Sequence, residues 1–193
     1  MLIYLCLLGL PVFAQIGFEV KSYFEISGAN VTPKVDLNGR SSVYMNNIKK
    51  FGLLFSNGFG ANFRINSGLN YSYSIAKHPL FFCLNDQKCN RIAIETKFKM
   101  ISIPVYAEYG LGRYLYAAAG PVIDFQLSEG NSFSDQSGIG YLVGLGGKVT
   151  TDKLLFTVFP NYKRHSVIPF EKQRGVKDIL QEFGVQFGVG CKF

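Results

Sequence analysis

The chain has 193 residues, with 20 Lys and Arg against 13 Asp and Glu and a formal charge of +7. Charged residues make up 17%, where soluble chains average about 25%, while aromatics reach 15% and 21 residues are Gly. Past residue 15 no apolar run approaches the roughly 18 residues of a membrane helix, so the hydrophobicity is spread along the chain. The positive charge is spread too. Its runs, Lys49-Lys50 and Lys163-Arg164-His165, do not make the concentrated stripe that nucleic acid requires; at strand ends they would meet lipid headgroups or solvent.

Residues 1–14 read as a signal peptide. The stretch MLIYLCLLGLPVFAQ carries no charge and is too short to cross a bilayer as a helix. Val12-Phe13-Ala14 offers a small-residue cleavage site, although no Lys or Arg follows Met1 to form the usual basic start. A mature domain of residues 15–193, beginning at Gln15, is therefore expected.

The rest alternates at period two, the strand period. Phe18, Val20, Phe24 and Ile26 oppose Glu19, Lys21, Tyr23 and Glu25. Leu53, Phe55, Phe59, Ala61 and Phe63 oppose Ser56, Gly58, Gly60, Asn62 and Arg64. Leu69, Tyr71, Tyr73 and Ile75 oppose Gly68, Asn70, Ser72 and Ser74. Ile101, Ile103, Val105, Ala107 and Tyr109 oppose Ser102, Tyr106, Glu108 and Gly110. Leu115, Ala117, Ala119, Ile123, Phe125 and Leu127 oppose Tyr116, Gly120, Asp124 and Gln126. Ile139, Tyr141, Val143, Leu145 and Val149 oppose Gly138, Gly140, Leu142, Gly144, Gly146 and Lys148; Phe156, Val158 and Tyr162 mark the least regular strand. The last strand is the cleanest, with Phe183, Val185, Phe187, Val189, Cys191 and Phe193 against Glu182, Gly184, Gln186, Gly188, Gly190 and Lys192. Gly is a poor choice for a solvent-facing strand surface but fits the crowded interior of a narrow barrel. The apolar set then faces lipid.

Eight strands of this kind predict an all-β, antiparallel, up-and-down transmembrane β-barrel of the bacterial outer membrane. Its connections alternate between short and long. Short ones fall at 64–67, 110–113 and 150–153, long ones at about 28–49, 77–96, 128–136 and 164–180, which predicts short periplasmic turns and long extracellular loops. Pro104, Pro121 and Pro160 fall inside strands, where each removes a ladder hydrogen bond, so local bulges are expected. Cys83 and Cys89 flank a polar stretch that reads as a loop tip, and an exported protein can close a disulfide there. Cys191 is left over as a small hydrophobe on a strand face.

Ile101-Ser102-Ile103-Pro104-Val105-Tyr106-Ala107-Glu108-Tyr109, followed by Leu115 to Gly120-Pro121, resembles the PorT-like outer-membrane β-barrel family and its "EIPLLLKY" and "AGP" strands. Asn66-Ser67-Gly68-Leu69-Asn70-Tyr71-Ser72 is similar to that family's "TGLNYS" segment. Ser102 departs from the family's Glu, whereas two of the strand prolines are family features. The resemblance implies a role assisting secretion or assembly in the envelope. Terminal Phe193, preceded by alternate aromatics, looks like the signal read by barrel-insertion machinery.

An eight-stranded barrel is only wide enough for its own side chains. Its inward set holds Glu19, Lys21, Glu25, Arg64, Glu108, Asp124, Lys148, Glu182 and Lys192. Charges out of water must pair or cost several kcal/mol each, so a polar network that plugs the lumen is expected, a narrow ion or small-solute channel being the alternative. His165-Ser166 hints at a lipid-modifying, deacylase-like enzyme, but neighbouring strand residues point to opposite faces and no carboxylate stands nearby in sequence. His78 stands alone, no cluster has metal-ligand spacing, and Gly144-Leu145-Gly146 lacks a following helix. No catalytic residue, cofactor or metal is expected. The expected partners are outer-membrane lipid, the insertion machinery, and an extracellular ligand or secretion partner, with no nucleic acid.

Overall fold

Strands whose two faces differ this sharply must hide one face from the other's solvent, and a closed barrel does so without leaving a free edge. The computed structural model describes residues 17–33, 43–60, 62–84, 88–128, 133–171 and 178–193, with the backbone alone at 33, 43–44, 46, 78–84 and 88–93. Its strands are β1 (Glu19–Pro33), β2 (Val43–Phe59), β3 (Phe63–Leu84), β4 (Lys88–Leu111), β5 (Leu115–Gln126), β6 (Gly138–Thr151), β7 (Leu154–Pro169) and β8 (Asp178–Lys192). Each pairs with its chain neighbours, and β1 closes on β8 from Glu19↔Lys192 to Pro33↔Asp178. The predicted signal segment lies outside the described residues.

Facing follows the alternation. Phe51, Leu115, Leu145 and Phe183 are more than 60% exposed on the outer wall, while Glu25, Asp124 and Ser72 are fully buried inside. Glycine makes the inner packing possible where rings must pass: a Cβ on Gly146 would fall 2.3 Å from the Tyr116 ring, and one on Gly52 2.5 Å from Tyr23.

The connections differ from expectation. The first short turn falls between Phe59 and Phe63, where Gly60 takes a φ of 78°, a conformation open to glycine without steric cost. Arg64 to Ser67 instead continue β3, with Asn66 inward and Ile65 outward. The described residues of the long segments 28–49, 77–96 and 164–180 are largely strand. β3 and β4, 22 and 24 residues long, rise as a hairpin paired as far as Leu84↔Lys88. Phe81, Phe82, Ile92 and Ile94 are strand formers, and that signal outweighs the polar stretch between them. Cys83 and Cys89 are backbone partners in this hairpin; their side chains, like that of His78, lie outside those described.

The prolines make no bulges. Pro104 keeps its pairing with Val122, Pro121 with Tyr141, and Pro160 with Val185. Each interrupts the ladder only toward its other neighbour, and the register resumes unchanged beyond the gap. An antiparallel residue points its N–H toward one neighbour only, so one proline costs one rung. The register shifts sit elsewhere, around Asn47 on β2 (φ 62°) and Ser166 on β7 (φ 48°).

Candidate functional site

The lumen is stratified. At the rim of short turns, β1, β3, β4 and β6 contribute a lower ionic layer. Arg64 Nη1 donates to Glu19 Oε1. Lys148 Nζ donates to Glu108 Oε1 at 2.6 Å and Glu19 Oε2 at 3.2 Å. Lys21 Nζ reaches Asn66 Oδ1 at 3.1 Å and stands 3.7 Å from Glu108, to which the Asn66 amide donates at 3.3 Å. The registers Glu19↔Ser56, Ser56↔Asn66 and Arg64↔Glu108 bring these side chains to one level.

Above them lies an apolar layer of Tyr23, Leu54, Tyr106, Tyr116, Val122, Leu142 and Phe159. The Phe159 ring stacks on Tyr116 at 5.5 Å and on Tyr106 at 6.1 Å. Between this layer and the next is a void of about 10 Å³ that Lys50, Asn70, Ser102 and Lys163 help to line, room for about one water.

The upper ionic layer is wholly buried. Lys50 Nζ lies 2.6 Å from both carboxylate oxygens of Glu182. Lys163 Nζ donates to both oxygens of Glu25, at 2.5 and 2.7 Å. His165 bridges two acids, with Nδ1 2.8 Å from Asp124 Oδ2 and Nε2 3.0 Å from Glu182 Oε2. A cap of Val31, Met45, Ile48, Phe98, Met100, Phe133 and Leu180 covers this layer. Phe133 enters from the β5–β6 connection and meets Phe98 at 5.8 Å. Gln136 pins that connection by donating to the carbonyls of Ser134 and Asp178 and accepting from Leu180 N–H at 3.1 Å.

Eight of the nine inward residues singled out in the sequence therefore belong to one of the two ionic layers: Glu19, Lys21, Arg64, Glu108 and Lys148 to the lower, Glu25, Asp124 and Glu182 to the upper. Lys192 joins neither. It is exposed at the rim, where its backbone N–H donates to Lys153. Phe193 is 65% exposed, its backbone N–H donating to Phe18, and Cys191 is a free, exposed thiol.

Three expectations need correction. Lys50, Lys163 and His165 do not meet headgroups or solvent; they are buried. His165 and Ser166 do not point to opposite faces, because the β7 irregularity turns both inward, and two carboxylates do orient the His. Both ring nitrogens being engaged, neither remains to activate the Ser166 hydroxyl. The lumen is also not plugged by the polar network alone, since two apolar layers alternate with the ionic ones. Lys50 and Lys163 were discoverable by extending the inward parity from Leu54 and from Phe159.

No protein-family model matches the chain, and no curated protein matches it by sequence. Among solved structures, it is similar to the outer membrane protein OprG from Pseudomonas aeruginosa, with a TM-score of 0.54 at 13% identity over 92% of this chain and 96% of that one. The fold is that of an eight-stranded outer-membrane β-barrel. Neisserial surface protein A superposes with a TM-score of 0.49 at 18% identity, covering 91% of this chain and 97% of that one. Ail of Yersinia pestis gives 0.46 at 16% identity, covering 92% and 99%. With an apolar outer wall and a charged interior, the barrel spans the bacterial outer membrane.

Proposed function

We propose that this barrel is a non-enzymatic, non-conducting scaffold of the outer membrane that acts through its extracellular end. The observation that carries this reading is the sealed lumen, in which aromatic and apolar layers close the bore between paired charges. A solute would have to displace Phe159 and Phe133 and separate buried ion pairs, each costly in low dielectric. His165 is held away from the lipid-facing wall, which counts against a lipid-modifying centre. The extended β3–β4 hairpin offers the surface for a partner, and the PorT-like resemblance suggests that the partner belongs to secretion or assembly. Single-channel recording in planar bilayers tests the central point. The refolded protein is expected to give no conductance steps above the lipid baseline. Reproducible steps that disappear on Phe159→Ala or grow with it would overturn the reading.

A further inference from the structure

On the β1 to β5 side of the wall, outward charge is confined to the end away from the short turns. On β1 to β5, described outward residues are uncharged from the short-turn rim up to a row formed by Phe24, Phe51, Tyr71, Ile101 and Phe125. The next row outward is Ile26, Lys49, Tyr73 and Lys99. Lys49 and Lys99 flank Tyr73 on adjacent strands, about 10 Å apart at two strand spacings. Lys97 stands one outward step beyond Lys99, paired with Ile75, and all three lysines are exposed. Their long stems can lie along apolar wall while the ammonium groups reach the headgroup level, beside a tyrosine suited to the same depth.

Pairing sets these lysines apart from the cations of the lumen. The lumen cations Lys21, Lys50, Arg64, Lys148 and Lys163 each hold a carboxylate. Lys77, on the same outer face, is tied to Glu95 at 2.8 Å. Among the described residues Lys49, Lys97 and Lys99 have no such partner. The Asn47 irregularity sets this facing: it leaves Lys49 outward and Lys50 inward.

We propose that Lys49, Lys97 and Lys99, grouped around Tyr73 on the lipid-facing wall at the extracellular rim, bind the phosphate groups of a phosphorylated glycolipid in the outer leaflet. An unpaired basic cluster directly above a membrane-embedded aromatic row matches an anionic headgroup joined to acyl chains. The chains would pack on Phe51, Tyr71 and Ile101 while the phosphates meet the ammonium groups. A soluble anion lacks the first of these contacts.

The test uses the full chain refolded into phosphatidylcholine nanodiscs and titrated with bisphosphorylated lipid A, with retention read by native mass spectrometry. Retention is expected to fall at least about tenfold in Lys49→Gln/Lys97→Gln/Lys99→Gln, since each basic group near a surface contributes appreciably to anionic-lipid binding. The triple Lys→Arg variant and Lys77→Gln should retain the lipid as the parent does. Dephosphorylated lipid A and inorganic phosphate should bind weakly. Equal retention by the triple Gln variant overturns the site, and equal binding of phosphatidylglycerol or of the dephosphorylated lipid overturns the ligand. Heat-modifiable gel mobility verifies folding; should the triple variant fail to fold, Lys49→Gln and Lys99→Gln singly carry the same comparison.

Discussion

The two ionic layers of the lumen are both built around buried Glu–Lys pairs, yet they differ in depth. The lower layer sets Glu19 and Glu108 against Lys21, Arg64 and Lys148, and its outermost cations remain partly wet, with Arg64 24% and Lys148 15% exposed along their side chains. In the upper layer Glu25, Asp124 and Glu182 meet Lys50, Lys163 and His165, none more than 7% exposed, between an aromatic layer below and an apolar cap above. A charge that loses its partner in the lower layer can recruit water from the rim. In the upper layer it cannot. Depth, more than the number of pairs, should decide what each bond is worth.

The largest expected effect follows directly. Lys50→Met strands Glu182 between His165 and Lys163 with one cation removed, and breaking a buried pair costs about 3–5 kcal/mol. Lys148→Met removes a cation that sits at the edge of water and leaves Arg64 on Glu19 and Lys21 near Glu108, so a loss of about 1 kcal/mol is expected. Urea unfolding in lipid vesicles measures both. Equal losses would mean that water reaches both layers alike and that the aromatic layer is no seal.

A second experiment moves the comparison from lumen to wall. Val185 faces lipid and Gly188, on the same strand, faces inward. Val185→Lys should lose about 2–4 kcal/mol relative to Val185→Leu if it lies near the midplane. Any side chain at Gly188 meets Thr157 Oγ1, 2.4 Å from an added Cβ, so Gly188→Leu and Gly188→Lys share that steric cost and should differ much less from each other. A larger gap at Gly188 than at Val185 would invert the assignment of faces.

The architecture was legible because alternation is a local signal repeated eight times, and it survives errors in any one strand. Boundaries were less so. The first reversal lies at Gly60, four residues before the stretch that the polar Arg64, Asn66 and Ser67 suggest, although the alternation of that stretch is unbroken. The lower layer was readable, its ions all lying on strands with clean parity. Half of the upper layer was not. Lys50 lay outside the predicted extent of β2, and His165 sits where β7 departs from alternation, a departure that no residue type in Arg164-His165-Ser166 announces. Proline misled in the opposite direction, since its cost in a ladder is one rung and not a change of register.

The smallest expected effect tests that departure. Ser166 holds a φ of 48° and its buried hydroxyl has no hydrogen-bond partner, so the position carries backbone strain without a side-chain return. Glycine tolerates this conformation, but it also gains entropy in the unfolded chain. The two terms nearly offset, and Ser166→Gly should stabilise by no more than about 0.5 kcal/mol. A β-branched side chain is a strong outlier at positive φ, so Ser166→Val should destabilise by about 1 kcal/mol or more. In a regular strand the ranking would reverse, valine being favoured over both serine and glycine. Thermal unfolding of the two variants therefore reads out the local backbone. If valine proves the more stable, β7 alternates through residue 166, and the inward turn that delivers both His165 and Ser166 to the upper layer does not exist.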